Sequence, residues 1–514
     1  MTSDGVRALF LALVLVTFAG CGTSANPVAP TPAPLAAGNI NLIFVVSDDL
    51  DYQAGGDVDP VTANLTAQGL QRTLLMAPYL QQNVLGNVNV TSIYALEPMT
   101  HLQTTSGYPD MAALEMVQQF ALFNQFTMYS DLQLDNPSSG NSFPINVSYA
   151  LGSVPSGVAM PSPLAPCPLC QGIDYNDLDS ENETLLAGIV NAKVPGYYVF
   201  SAPWEPTHNL LENFNTFEKY HLRVPSSYQD PNHIYAISIT PAGNASLATY
   251  DSKLTPSNTY PALDPVPALS ACKYASFTLG ATAASSTLNK NETVYFIRHA
   301  NAHPTGYFSD GNYVAAGQWR ALYLGVAIPR ALQGLPQPTH IYSLDPAQVT
   351  PNAGYSASGP TSFSHNTLAL TAEPYAIASG LPYSLVSSFL LTDSNVAQET
   401  SDYYFQGGQF NNQTILVAWE HGNIPLILAA LLNGSYTNLS SNTPDNTPAL
   451  TLPIPTAPAT STTPTTLPAA LQWDPNDYDS IWTITLDGSG NLKANNSLCE
   501  GIDSKLLPAW APQF

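Results

Sequence analysis

Basic residues are scarce in this chain of 514 residues. It has 13 Lys and Arg against 37 Asp and Glu, which gives a formal net charge of -24. Proteins that bind nucleic acid need a basic face for the phosphates, so the balance argues against a nucleic-acid partner. It argues equally against electrostatic adhesion to anionic lipid. A Lys-poor, acidic surface fits a protein that works outside the cytoplasm.

Long apolar runs are missing beyond the N-terminus. The run LFLALVLVTFAG, residues 9–20, follows a single Arg and is short for a membrane span, so we interpret residues 1–21 as a signal peptide. The sequence Phe18-Ala19-Gly20-Cys21 resembles a bacterial lipobox, which predicts lipidation of Cys21 and membrane contact only through that anchor. Ordinary secretion is the alternative. The Pro- and Ala-rich residues 22–38 are predicted to be a disordered tether.

Cysteine is also rare, and four residues remain after Cys21. Cys167 and Cys170 form a CPLC motif, while Cys272 and Cys499 are isolated. A CxxC motif is typical of redox chemistry or of half a zinc site, but no second CxxC is present. For an exported protein we therefore expect disulfides.

The chain contains one pattern twice. A helical segment at residues 65–81 carries Gly69 and Arg72, and residues 315–332 carry Gly317 and Arg320 at the same spacing. Further matches follow at nearly the same offset, namely IYALEP at residue 93 with IYSLDP at residue 341, and alternating hairpins that begin at residues 234 and 481. Collinear matches of this kind indicate a tandem duplication.

Strands alternate with helices in each copy. This order predicts two tandem three-layer α/β/α domains, each with a mostly parallel sheet and helices on both faces. The predicted boundaries are residues 39–255 and 291–514, with a connector at 256–290. Ligands of such sheets bind beyond the carboxyl ends of the strands. Two of these ends in the second copy carry histidine, as Arg298-His299 and Glu420-His421.

The motifs around these histidines are similar to those of a known family. VYFIRHANAHPTGYFSDGNYVAAGQWRALYLG, residues 294–325, and ILVAWEHGNIPLI, residues 415–427, resemble the signature of the histidine phosphatase (phosphoglycerate mutase-like) superfamily. There the first strand ends in Arg-His-Gly and a later strand ends next to a second histidine. The resemblance covers about residues 291–495, and here Ala300 replaces the glycine.

The resemblance implies hydrolysis of a phosphorylated small molecule without a metal or other cofactor. His299 would be the nucleophile that forms a phosphohistidine, and neutral imidazole suits that role near pH 7. Arg298 would hold two phosphate oxygens with its planar fork, and His421 would stabilise charge on the phosphoryl group.

Two positions depart from the family pattern. The second phosphate-binding arginine falls on Thr367, and no Arg follows Arg330, so the nearby His365 becomes the candidate stand-in for substrate binding. The general acid is also not defined, because Gly422 follows His421. The candidates include Asp393 and Glu420, and the distance along the chain favours Asp393. Asn301 is a further candidate for substrate contact.

The first copy lacks this chemistry. Its strand LIFVVSD, residues 42–48, aligns with VYFIRH so that Ser47 matches Arg298 and Asp48 matches His299. We therefore expect a degenerate domain that packs on the second copy, shapes its cleft or binds a partner.

Two other functions are compatible with the sequence. The first is a non-catalytic cell-surface binding or scaffold protein made of two inactive phosphatase-like domains. The second is a metal hydrolase that uses Asp48 and Asp49 at the end of NINLIFVVSDDLDY, a pattern similar to the opening strand of sulfatases. The C/S-x-P-x-R motif that a sulfatase needs is absent, which argues against the metal hydrolase.

Overall fold

The chain has a mixed α/β fold. The computed structural model describes residues 32–124, 142–150, 154–159, 172–177, 181–274, 277–302, 310–351, 362–442 and 471–514. The first half contains β1 (Ile40–Val46), α1 (Ala67–Tyr79), β2 (Ser92–Ala95), β3 (Leu102–Gln103), β4 (Tyr108–Pro109), α2 (Ala112–Leu122), β5 (Ile145–Asn146), α3 (Glu181–Ala192), β6 (Gly196–Ala202), α4 (Trp204–Glu218), β7 (His233–Ile239) and β8 (Ala245–Asp251).

The second half has more elements. It contains β9 (Thr278–Ala283), β10 (Glu292–Arg298), α5 (Ala315–Ala331), β11 (His340–Leu344), β12 (Val349–Pro351), β13 (Ser362–Ser364), α6 (Thr367–Ser379), β14 (Tyr383–Val386), α7 (Val396–Phe405), β15 (Thr414–Trp419), α8 (Ile424–Leu432), β16 (Tyr436–Asn442), β17 (Ser480–Leu486) and β18 (Leu492–Cys499).

Two sheets organise the molecule, and each has a parallel part next to an antiparallel part. Their strand orders are β5-β2-β6-β1-β7-β8 and β14-β11-β15-β10-β17-β18-β9-β16. In each sheet the central strand lies between a parallel neighbour and the first strand of an antiparallel hairpin. All seven residues of β1 and of β10 are buried, as expected for strands that are covered on both faces.

Helices pack against both sheets in the hydrophobic core. One hydrophobic cluster joins side chains of α1, α2, α5 and α6 to inward-facing residues of both sheets, among them Ile43 and Ile297. A second cluster packs α7 and α8 on the other face of the second sheet, and a third packs α3 and α4 on the other face of the first. The two halves therefore bury a shared apolar core between them.

The repeated Gly and Arg have the same structural role in α1 and α5. A Cβ at Gly69 would overlap the carbonyl oxygen of Asp57, and a Cβ at Gly317 would overlap that of Asn301. One turn later, Arg72 donates to the Asp57 carboxylate at 2.5 Å and Arg320 donates to the Asn301 side chain at 2.8 Å. Glycine is needed where the helix backbone approaches the loop this closely.

The hydrogen bonds correct the predicted alignment of the two copies. The amide of Ser47 donates to the carbonyl of Ala202, and the amide of His299 donates in the same way to that of Trp419. Ser47 therefore matches His299, and Val46 matches Arg298, one residue away from the sequence alignment. A strand that is buried on both faces is apolar throughout, so its hydrophobic pattern did not define the register.

Two predicted segments contain residues with defined partners. In the predicted tether, residues 22–38, the carbonyl of Ala33 accepts a hydrogen bond from the Tyr250 hydroxyl and the amide of Leu35 donates to the carbonyl of Val84. The predicted connector, 256–290, contains β9, which pairs with β18 and β16 in the second sheet. The residues of β9 are of mixed polarity, so the sequence did not indicate a strand there.

A disulfide joins Cys272 to Cys499 at the end of β18. The predicted signal peptide, the lipidation site Cys21 and the CPLC residues Cys167 and Cys170 lie outside the described residues. Within the described ranges, no helix combines the length and the apolar character needed to cross a membrane.

Candidate active site

The carboxyl ends of two neighbouring parallel strands bring the predicted residues together. Arg298 is the last residue of β10 and pairs with Trp419, the last residue of β15. His299 follows the first strand, and Glu420 and His421 follow the second. Because parallel strands end at the same edge of a sheet, residues about 120 positions apart in sequence meet at one place.

The carboxylate of Glu420 lies at the centre of three histidines. Its Oε1 is 3.3 Å from Nε2 of His299 and 3.8 Å from Nε2 of His365, and its Oε2 is 3.3 Å from Nδ1 of His421. The side chains of Glu420 and His421 are 25% and 26% exposed, so a small molecule can reach this cluster from solvent.

One hydrogen bond defines the ring nitrogens of His299. Nδ1 lies 2.9 Å from the carbonyl oxygen of Ala300, and because a carbonyl only accepts, this nitrogen must carry the proton. Nε2 faces the Glu420 carboxylate, toward which it donates when the ring is charged, and in the neutral ring the lone pair is on this nitrogen. This is the tautomer that a nucleophilic histidine needs.

Arg298 is a buried cation with a fixed orientation. Its Nη1 donates to the carbonyl oxygens of Pro475 at 2.6 Å and Asp477 at 3.1 Å. Its guanidinium also lies 3.7 Å from the ring centroid of Tyr478, a cation–π contact. Burial lowers the pKa of Arg298, with the Tyr478 and Glu420 side chains opposing the shift. Nε is buried and has no hydrogen-bond partner among the described residues.

The histidines determine the charge of Glu420. Burial alone would raise the pKa of this carboxyl, but His299, His421 and His365 outweigh that effect and hold the pKa well below its usual range. Glu420 is therefore an anion, and it lies at the centre of the predicted phosphate site.

His365 reaches the site but carries no charge at neutral pH. Burial lowers its pKa to about 4, with Glu420 opposing the shift and His299 adding to it. The prediction that His365 stands in for the missing arginine is thus corrected in one respect. It can offer a hydrogen bond to a phosphate oxygen, but no positive charge.

The first half of the chain holds the segment around His365. The amide of Val147 donates to the Ser364 hydroxyl at 3.0 Å, and the Asn366 side chain donates to the carbonyl of Ile145 at 2.9 Å. These bonds flank His365 on both sides, so the first half contributes to the position of a site residue.

Asp393 and Asn301 have local partners. Asp393 is exposed in the turn before α7, where its carboxylate accepts a hydrogen bond from the amide of Asn395. Asn301 is buried, and its side-chain oxygen accepts from Arg320. None of the described contacts joins either residue to His299, which disfavours Asp393 as the general acid and Asn301 as a substrate contact.

Tyr478 is a further residue of the site, and no motif in the sequence identifies it. Its ring lies under Arg298 and 6.0 Å from the His299 ring, and the Trp473 indole supports the same loop by donating to the carbonyl of Asp477 at 2.7 Å. No spacing rule identifies such a loop residue, because only the tertiary fold brings it beneath β10.

The corresponding edge of the first sheet has different chemistry. Ser47 lies at the position of His299, while Pro203 and Trp204 follow β6 where Glu420 and His421 follow β15. Burial and the neighbouring Asp57 raise the pKa of Asp48 well above its usual range, with Arg72 opposing the shift. Asp49 accepts hydrogen bonds from the amides of Asp51 and Tyr52.

Among the described residues, one group has side-chain atoms close enough to hold a metal ion, and it consists of His299, Glu420 and His421. Asp48 and Asp49 are not part of it. Comparison of the chain with models of known protein families finds no match, and comparison with curated proteins finds none.

Proposed function

We propose that the chain is an exported phosphomonoesterase of the histidine phosphatase type. It consists of two tandem three-layer α/β/α domains, of which the second performs the chemistry and the first is degenerate. The observation that carries this proposal is the meeting of Arg298, His299, His421 and His365 around Glu420 at the ends of β10 and β15.

The reaction runs through His299. Its Nε2 attacks phosphorus, and the N–P bond forms as the P–O bond to the leaving group breaks. Arg298 binds the phosphoryl oxygens through its unpartnered Nε–H, and His421 stabilises the same charge. Water then attacks phosphorus, the N–P bond breaks, and inorganic phosphate leaves with His299 restored.

Glu420 is the proton donor to the leaving group. Its three histidine neighbours keep Glu420 an anion, but a bound phosphate is a like charge and raises the pKa of a neighbouring carboxyl. The proton that Glu420 takes up as substrate binds passes to the leaving oxygen. In the second step the carboxylate accepts a proton from the attacking water.

The first domain has a structural role. It shares a core with the second domain and holds the segment around His365 from both sides. In this view the degenerate copy completes the substrate pocket of the active one.

Export and a lipid anchor agree with the composition. The N-terminal apolar run ends at Cys21, and Cys272 and Cys499 form a disulfide, a bond that persists in oxidising compartments. The substrate is a phosphorylated small molecule, and membrane contact is made only through the anchor.

A non-catalytic binding protein is the second candidate. Thr367 stands where relatives carry the second phosphate-binding arginine, and the Glu420 carboxylate already occupies the centre of the histidine cluster. Both features weaken phosphate binding. They favour a domain that has the fold of a phosphatase and no catalytic activity.

An aryl phosphate assay separates the two candidates. We expect the wild-type chain to hydrolyse the substrate, with most activity in the acid part of a range from about pH 3 to 8, which spans carboxyl and imidazole titration. His299→Ala should abolish it, while His221→Asn, an exposed residue in the first half, should not. Equal rates of hydrolysis for the wild type and His299→Ala across this pH range would rule out the phosphatase and favour the non-catalytic binding protein.

A further inference from the structure

The cluster around Glu420 has the composition of a transition-metal site. His299, Glu420 and His421 each present a ligand atom, and these atoms all lie within 4.8 Å of one another. Two imidazoles and one carboxylate form a ligand set that proteins use for zinc, with a fourth position left open.

The spacing of these atoms is close to that of a tetrahedral site. Nε2 of His299 is 3.3 Å from Oε1 of Glu420, and Nδ1 of His421 is 3.3 Å from Oε2. Two ligands that bind zinc at about 2.0–2.1 Å in tetrahedral geometry lie roughly 3.3 Å apart. The three ligand atoms lie within 4.8 Å of one another, so rotation of the carboxylate or of an imidazole ring has to bring one oxygen and the two nitrogens to this spacing.

The hydrogen bonds around the cluster do not use the ligand nitrogens. Nδ1 of His299 is occupied by the carbonyl of Ala300, so Nε2 keeps the lone pair that a metal requires. Nδ1 of His421 has no hydrogen-bond partner among the described residues. The second ring position of His299 is thus fixed by a backbone acceptor, as is usual for metal-binding histidines.

The ligand types select the class of ion. Imidazole nitrogens suit zinc and its neighbours in the transition series, whereas magnesium and calcium prefer all-oxygen sites. The net charge of -24 also concentrates cations around the molecule and repels phosphate. A divalent cation therefore meets a more favourable field than a substrate anion does.

We propose that this cluster binds one zinc-type divalent ion through His299, Glu420 and His421, and that the ion inhibits the enzyme by occupying the nucleophilic nitrogen. The inhibitory effect rests on the proposed phosphatase function, whereas the binding itself does not. Because the ion and the phosphoryl group need the same lone pair on Nε2, the two exclude each other.

Calorimetric titration of the full chain with a zinc salt, in a buffer that does not chelate it, tests the site. We expect one ion per chain. In His421→Gln and Glu420→Gln the affinity for zinc should fall by about 100-fold or more, because loss of a residue that only hydrogen-bonds a ligand already lowers metal affinity about 10- to 100-fold. The control His221→Asn alters an exposed histidine whose φ of +57° suits asparagine. It should bind zinc like the wild type.

The same titration separates the two proposals. Zinc binding in a chain without phosphatase activity supports the site and overturns the phosphatase. Unchanged binding in both cluster variants, or no binding to the wild type, overturns the site and leaves the phosphatase standing. Zinc that increases turnover of an aryl phosphate overturns the inhibitory role.

Discussion

The side-chain amide of Asn366 donates a 2.9 Å hydrogen bond to the carbonyl of Ile145, which joins the two halves of the chain one residue after His365. The hydroxyl of Tyr149 likewise donates to the carboxylate of Asp345 at 2.7 Å. The interface between the halves is therefore polar as well as apolar, and it ends beside the candidate site.

Asn366→Ala should impair the site as well as stability. The change removes a hydrogen bond to the carbonyl of the buried Ile145, which costs about 1 kcal/mol of unfolding free energy. We also expect a several-fold fall in kcat/KM for an aryl phosphate, because the segment with His365 loses one of its hydrogen bonds to the first half.

Asn146→Ala is the matched control for this change. Its side chain makes a similar bond to the carbonyl of Ile93, within the first half. It should lower stability and leave kcat/KM unchanged. Equal kinetic effects of the two substitutions would show that the first half does not position His365.

Glu420→Gln should separate phosphate binding from turnover. The substitution removes the anion from the centre of the histidine cluster. Inorganic phosphate should therefore inhibit at a concentration about 10-fold lower, which corresponds to about 1.4 kcal/mol of binding free energy. Loss of a general acid should reduce kcat by about 10²- to 10⁴-fold. Steady-state kinetics with phosphate as a competitive inhibitor measures both quantities.

Asp393→Asn serves as the comparison, because this residue is exposed before α7 and was the rival candidate for the general acid. Its kcat should equal that of the wild type. A large fall in kcat here, with normal turnover in Glu420→Gln, would reverse the assignment.

Glu373→Gln should raise stability at neutral pH. Glu373 on α6 and Glu115 on α2 are buried, and burial raises the pKa of both, that of Glu115 to about 7, with each carboxyl also affected by the other. At low pH both states of the chain hold these protons. Above about pH 4.5 the unfolded chain releases them and the folded chain does not, so the free energy of unfolding falls as pH rises toward 7 and above.

Thermal melts across this range test the expectation. Glu373→Gln should melt a few degrees above the wild type near pH 7, with the gap closing toward pH 4. Glu212→Gln, at a partly exposed position on α4, should show no such trend. A gap that does not change with pH would argue against a buried acid pair.

Gly317→Ala should destabilise the second half. An added Cβ would stand 2.6 Å from Cβ of Tyr313 and would overlap the carbonyl of Asn301, so the helix has to move at a cost of about 1–3 kcal/mol or more. Gly188→Ala in α3 meets nothing within 4 Å and should stabilise slightly. Denaturant unfolding compares the two, and similar effects would contradict the close approach.

Much of the secondary structure was predictable from the sequence. The apolar runs LIFVV and VYFI predicted β1 and β10, and the helical spacing of Gly and Arg predicted α1 and α5, because burial on one face or on both imposes these patterns. The strand β9 was not predictable, because it lies in a segment of mixed polarity. The residue-by-residue match of β1 with β10 was not predictable either, because a shift of one residue leaves the apolar pattern of these buried strands unchanged.

The sequence by itself determined the charge of the molecule, the repeat, and the placement of Arg298, His299, Glu420 and His421 at strand ends. The tertiary structure alone decided that the Glu420 carboxylate lies among three histidines, that Tyr478 lies under Arg298, and that the first half holds His365. These relations join residues far apart in the chain. Local patterns do not contain them, because they arise only when the sheets pack and the strand ends meet.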